Sequence, residues 1–175
     1  NMVANEMFLD SASLRSSVVS LAKHLGYVPK SIRAATATID VTVTEADAIV
    51  SGYILPKNTI FTATKNDVTY FFVSIDDVRY EAVGDGNYKA SNVVIKEGTR
   101  TATGFIQNSN DLDQQFIIPS NNADTTTLEV RVQNSTTDET GADKEWLLTD
   151  DITLTDSGSL NFFIQEVENG QFEIY

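Results

Sequence analysis

Apolar residues recur at three- and four-residue spacing early in the chain, at Leu14, Val18, Leu21, Ala22 and Leu25. That period predicts an α-helix with one apolar face. Asp10, Ser11 and Ser13 offer N-cap oxygens ahead of it, and Gly26 is placed to end it in a left-handed conformation. Lys23 and His24 fall in its last turn, where positive charge suits the helix dipole, and Pro29 bars an easy continuation.

Beyond Pro29 the period falls from helical to two. Ala35, Ala37, Ile39, Val41 and Val43 alternate with Thr36, Thr38, Asp40 and Thr42, which predicts a half-buried strand. Residues 59–64 and 68–75 read as two strands joined around Lys65, Asn66 and Asp67. The unbroken run Tyr70, Phe71, Phe72, Val73 predicts that both faces of the second are covered. A strand over 78–83 leads into the turn signal Gly84, Asp85, Gly86, Asn87, and Val93, Val94 and Ile95 begin another. Residues 101–107 and 115–118 are expected as strands around a polar loop at 108–113, with a second loop at 120–124. Leu128, Val130 and Val132 alternate with Glu129 and Arg131 as a further strand, and 135–144 is a polar excursion. Leu160, Phe162 and Ile164 form a penultimate strand. Phe172, Ile174 and Tyr175 form the last, after a turn at Asn169 and Gly170.

Short strands with frequent turn signals after one helix predict a mainly β fold of antiparallel strands with one N-terminal α-helix. Three segments are expected: a helical leader over 1–34, a β subdomain over 35–118, and a second, truncated β subdomain over 119–175. Strands near Tyr175 are expected to need pairing partners that the sequence does not contain. Asn1 ahead of Met2 reads as a tag remnant or an excised segment, and the sequence is expected to be a fragment.

Composition narrows the chemistry. A chain of 175 residues can bury roughly 70% of its unfolded surface. With 41% hydrophobic and 21% charged residues it has the make-up of a globular protein. There is no cysteine, so disulfides, thiolate metal sites and cysteine nucleophiles are excluded. The formal net charge of −13 argues against nucleic-acid binding and against a polybasic membrane anchor. The same charge serves solubility, or matches a basic partner surface. No run approaches the ~20 apolar residues that span a bilayer.

His24, the single histidine, has Ser17 and Ser20 near it on the same helix, but no nucleophile-elbow pattern or oxyanion hole accompanies them. One histidine without cysteine falls short of a zinc ligand set. Asp76–Asp77 and Asp150–Asp151 are adjacent pairs whose members point to opposite faces of a strand, so they read as turn or solvated residues. Asn108, Asn110, Asp111 and Asp113 resemble the start of a calcium loop but lack its glycine and later glutamate. Gly84-Asp85-Gly86 lacks the Lys and Ser/Thr of a P-loop. No catalytic, cofactor or metal residues are assigned.

The stretch MFLDSASLRSSVVSLAKHLGYVPKSIR, residues 7–33, resembles the leader helix of baseplate wedge proteins of T-even-type phages, within the baseplate J-like family of contractile tails. The words Leu14-Arg15-Ser16-Ser17, Ala22-Lys23-His24-Leu25-Gly26-Tyr27 and Pro29 carry it. Three later segments agree in order. Ile54-Leu55-Pro56-Lys57-Asn58-Thr59-Ile60-Phe61 resembles an apolar-Pro-x-Gly/Asn-Thr-x-Phe segment, and Val94-Ile95-Lys96-Glu97-Gly98 a second β signature. Phe162-Phe163-Ile164-Gln165-Glu166, with Asn169 to Tyr175, resembles the run before a Phe-Gly-Asp-Gly motif. That motif is absent here, and Val83-Gly84-Asp85-Gly86 is out of order for it. Read physically, Pro56 and Asn58 reverse the chain between strands.

The resemblance implies a non-enzymatic structural component of a phage contractile-tail baseplate. It would be homodimeric, bound to other wedge subunits, free of cofactors, and located in virions assembled in the host cytoplasm. Its work would be done by surfaces, with Met7, Phe8, Leu14, Val18 and Leu25 as candidate contact residues. Val3, Met7 and Phe8 either pack on a partner or staple onto their own helix. Two other readings stay open: a virion β module that recognises a carbohydrate or receptor through polar loops and Trp146, and a hydrolase using paired carboxylates.

Overall fold

The structure, a computed structural model, describes residues 5–27, 29–44, 53–151, 153, 155–167 and 170–175. Strand takes 36% of the chain and helix 10%, so the fold is mainly β with one helix near the N-terminus, as the pattern predicts. The chain forms two compact units: residues 34–102, and residues 1–33 together with 103–175. The inserted unit thus interrupts the other in sequence. The leader groups with the C-terminal strands, where three consecutive segments were expected.

The inserted unit is built on a five-stranded sheet. Its strands are β1 (Thr36–Thr44), β3 (Ile60–Lys65), β4 (Val68–Ser74), β6 (Glu81–Gly84) and the long β7 (Asn87–Glu97). Strand β7 pairs antiparallel with β1 along one edge, while its other edge carries β6 near its start and β4 near its end. Short strands β2 (Ile54–Leu55) and β5 (Val78–Arg79) form a separate ladder. The core is Leu55, Tyr80, Ala90, Val93 and Ile95, with Ile39, Val41, Val43, Phe61 and Phe72 among the side chains packed against it.

The pattern misplaced the start of β7 at Val93 because Ser91–Asn92 reads as a polar break. It is a β-bulge. The register shifts between Ile39↔Val93 and Val41↔Ala90, so Ser91 and Asn92 together oppose Asp40. Asn92 takes φ +57°, and its N–H donates to Asp40 Oδ1 at 3.0 Å, while Lys89 Nζ pairs with Asp40 Oδ2 at 2.7 Å. The extra residue keeps Ala90, Val93 and Ile95 on one face.

Two hairpins turn as expected. Asn66 (φ 51°) and Asp67 (φ 61°) link β3 to β4, and Asp85 (φ 53°) and Gly86 (φ 74°) link β6 to β7, the positive-φ pairs of a type I′ turn. Strand β4 corrects one expectation. Only Phe72, Val73 and Ser74 pair with β7, so the hairpin runs past the sheet and leaves Tyr70 and Phe71 exposed. The expected strand over 78–83 is broken at Tyr80 into β5 and β6.

The unit formed by 1–33 and 103–175 holds the helix α1 (Arg15–His24) and two three-stranded sheets. One is ordered β11 (Asn161–Phe162), β10 (Glu145–Leu148), β9 (Val130–Arg131), and its β10–β11 pair is parallel. The other is ordered β12 (Ile164–Glu166), β13 (Phe172–Ile174), β8 (Phe116–Ile117). The last strand is therefore central, paired on both edges within the chain, contrary to expectation. Residues 101–107 form no strand. The strand expected around Leu128 shrinks to β9, because a 3₁₀ turn over Thr125–Thr127, capped by Asp124, precedes it. Strand β10 was not foreseen. The turn at Asn169 lies outside the described residues.

Candidate interaction surfaces

Of the polar residues singled out in the sequence, His24 is exposed in the last turn of α1, and Ser17 bonds to the carboxylate of Glu6. Asp77 accepts from Lys57 N–H at 2.6 Å, and Asp151 accepts from Thr153 N–H at 2.9 Å, so both are turn anchors. In the 108–113 loop, Asn108 Oδ1 and Asp111 Oδ1 each accept a backbone N–H two residues on, and Gln114 spans the neck to Asn108 N and Ile106 O. Those oxygens organise the loop. Among the described residues no group of three or more His, Cys, Asp or Glu side chains could hold a metal ion. An open depression of about 370 Å³ lies against this loop, lined by Asn108, Asp111, Leu112, Gln114 and Phe116 among others. Trp146 does not line it. It stands half-buried in β10, opposite Val130. Among the described residues no helix is long and apolar enough to cross a membrane.

The leader is built differently from its sequence reading. The N-cap residue of α1 is Leu14, which has no side-chain acceptor. The cap comes from Glu6. Its Oε1 accepts from Ser13 N–H at 3.0 Å and Ser13 Oγ–H at 2.8 Å, and its Oε2 accepts from Leu14 N–H at 3.2 Å. Ser13 therefore spends its hydroxyl on Glu6, not on the helix, and Ser11 donates to Asn5 O. These donors, the Ser13 N–H foremost, hold the Glu6 carboxyl down to about 2. The C-terminal end follows the sequence reading. Gly26 sits at φ +78°, with Gly26 N–H on Lys23 O and Tyr27 N–H on Ala22 O, both at 3.0 Å, which is a Schellman closure.

Two basic side chains tie α1 to β12. Arg15 grips Glu166 of β12 with Nε to Oε1 at 2.7 Å and Nη2 to Oε2 at 3.0 Å, and Lys23 Nζ donates to Glu166 O at 2.7 Å. Glu166 is buried while Arg15 stays largely exposed. Downstream, Ser31 Oγ accepts from Thr125 N–H at 2.9 Å and Thr125 Oγ1–H at 2.8 Å. No residue of α1 itself is buried.

At about 100° per residue, the stripe Leu14–Val18–Leu21–Leu25 lies roughly 130° around the helix from the midpoint of Arg15 and Lys23. The clamp therefore turns the apolar stripe away from β12. Val18 and Leu21 are half-buried, while Leu14 is 46% and Leu25 75% exposed. Met7 and Phe8, ahead of the helix, are 66% and 68% exposed. The expected contact residues thus share one segment, and four of the five are open to solvent. Val3 lies outside the described residues. Glu6, Arg15, Lys23 and Glu166 were missed in the sequence, although Glu166 had a signal: it continues the inward period of Phe162 and Ile164.

No protein-family model matches the chain. The chain is similar to the baseplate wedge protein gp6 of Enterobacteria phage T4, with 30% identity over 182 aligned residues. The similarity takes in the whole of this chain but about 25% of that protein, so the chain spans a quarter of its relative's length. What the comparison supports is a distant relationship to a phage baseplate wedge protein, over all of the chain described above.

Proposed function

We propose that this chain is part of a structural subunit of a phage contractile-tail baseplate wedge, acting by contact with neighbouring wedge subunits and as a homodimer. It works in the virion, after assembly in the host cytoplasm, as a scaffold without catalytic or cofactor chemistry. The single observation that carries the reading is the leader: a helix held by polar bonds on one side, with Leu14 and Leu25 at the ends of its apolar stripe, and Met7 and Phe8 ahead of it, left exposed. A stripe so placed has the spacing of a helix that lies in a groove of another chain. Similarity to a baseplate wedge protein supports the kind of assembly concerned.

Light scattering of the chain, alone and mixed with neighbouring wedge subunits, tests it. The expected result is a dimer, and a co-complex with at least one wedge subunit, both lost in Leu14→Glu or Leu25→Glu. A monomer that binds no wedge subunit would overturn the reading.

A further inference from the structure

A second surface lies on the sheet β11–β10–β9. Trp146 pairs with Val130, and Leu148 with Phe162. Alternation then sets Val130, Trp146, Leu148 and Phe162 on one face, with Arg131, Glu145, Leu147 and Asn161 on the other; Val132 directly follows β9 and Leu160 directly precedes β11. The first face is wholly apolar. Phe162 is buried and Val130 and Trp146 half-buried, yet Val132, Leu148 and Leu160 remain 48%, 46% and 37% exposed. An apolar sheet face open along its margin is the physical mark of a contact site.

The connections that precede and follow β10 in sequence are acidic. Residues 132–144 and 149–160 carry six acidic residues, Asp138, Glu139, Asp143, Asp150, Asp151 and Asp156, against one basic residue, Lys144. Asp138, Asp151 and Asp156 accept hydrogen bonds from Thr140, Thr153 and Ser159, which favour the ionised form. A second copy of this face would meet it with like charge, so self-pairing is disfavoured.

We propose that this face docks a partner protein whose contact patch is apolar at its centre and rimmed by lysine and arginine. The apolar margin supplies the buried contact and the carboxylates select the partner and speed its approach. The inference stands apart from the leader helix, since it uses none of its residues.

The test is chemical-shift mapping on the full 175-residue chain, titrated with a synthetic amphipathic leucine–lysine peptide. A leucine–glutamate peptide of the same pattern and a serine–lysine peptide serve as comparisons. The expected result is saturable shifts centred on β9, β10 and β11 for the leucine–lysine peptide alone. Affinity should fall about tenfold in Leu148→Ser and in Val132→Ser, and be unchanged in Leu112→Ser. Val132→Ser gives the reading if Leu148→Ser loses its native dispersion. Equal binding of the leucine–glutamate peptide would remove the charge argument, and equal binding of the serine–lysine peptide would remove the apolar one. Shifts centred on the leader, or on this face when the chain is concentrated without peptide, would overturn the assignment of the surface or of its occupant.

Discussion

Three carboxylates hold parts of the chain in place, each in its own way. Glu6 is the clearest. Its carboxyl sits near 2 against an ordinary 4.5, because donors at the start of α1 bind its ionised form. A depressed acid stabilises the fold at neutral pH, and that stability is lost as pH falls from about 4.5 towards 2. Helical circular dichroism should therefore decline across that window, and Glu6→Gln should remove this component. An unaltered acid profile in Glu6→Gln would contradict the cap. Asp40 is held below the usual carboxylate range by Lys89 first and Asn92 N–H second. Asp40→Ala should speed amide exchange at Asn92, whereas Asp40→Asn, which keeps an acceptor, should leave it slow. Glu166 is the buried one. Arg15→Ala strips its bidentate partner and should destabilise the unit by about 1–3 kcal/mol in denaturant melts, since a buried carboxylate is left with fewer donors.

At the scale of elements, what could be read from sequence was what depends on neighbours in sequence. The helix, its Gly26 terminus, the Asn66–Asp67 and Asp85–Gly86 turns and the Pro56–Asn58 reversal all rest on local conformational preference. The last of these is seen in full. Asn58 takes φ 67°, and Ser74, which is buried, donates to Pro56 O and accepts from Thr59 N–H. Gly26→Ala should cost about 1 kcal/mol through backbone strain alone, because nothing lies within 4 Å of the added Cβ. A thermal melt unchanged by that substitution would count against the Schellman closure. What was not legible depended on distant partners. A bulge at Ser91–Asn92 looks like a strand boundary unless Asp40 is known to face it. The four residues of β10 carry no alternation that sets them apart from the polar segment before them. The run at Tyr70–Phe71 promised burial that the hairpin, reaching past β7, does not provide.

At the scale of the whole molecule, the inserted unit has its own core and its own ladders, and the hydrogen bonds that order it run within residues 34–102. Residues 34–102 expressed alone should give a dispersed amide spectrum with β-strand shifts, and a collapsed spectrum would show that the core of Val93, Ile95 and Leu55 is insufficient. Of the candidate surface, the leader stripe was visible in sequence as a periodic pattern. The exposure of its ends, Leu14 and Leu25, was not, because that follows from which side of the helix Arg15 and Lys23 clamp.

That clamp sets an order of events during synthesis. Arg15 and Glu166 lie 151 residues apart, so at translation rates of about 5–20 residues per second the leader leaves the ribosome roughly 8–30 s before its acceptor exists. A helix of ten residues is marginal in isolation. Until β12 emerges the leader therefore lacks the carboxylate that grips Arg15, while the inserted unit, complete by Ala102, can already be folded. The leader is thus made well before Glu166, the residue that fixes it.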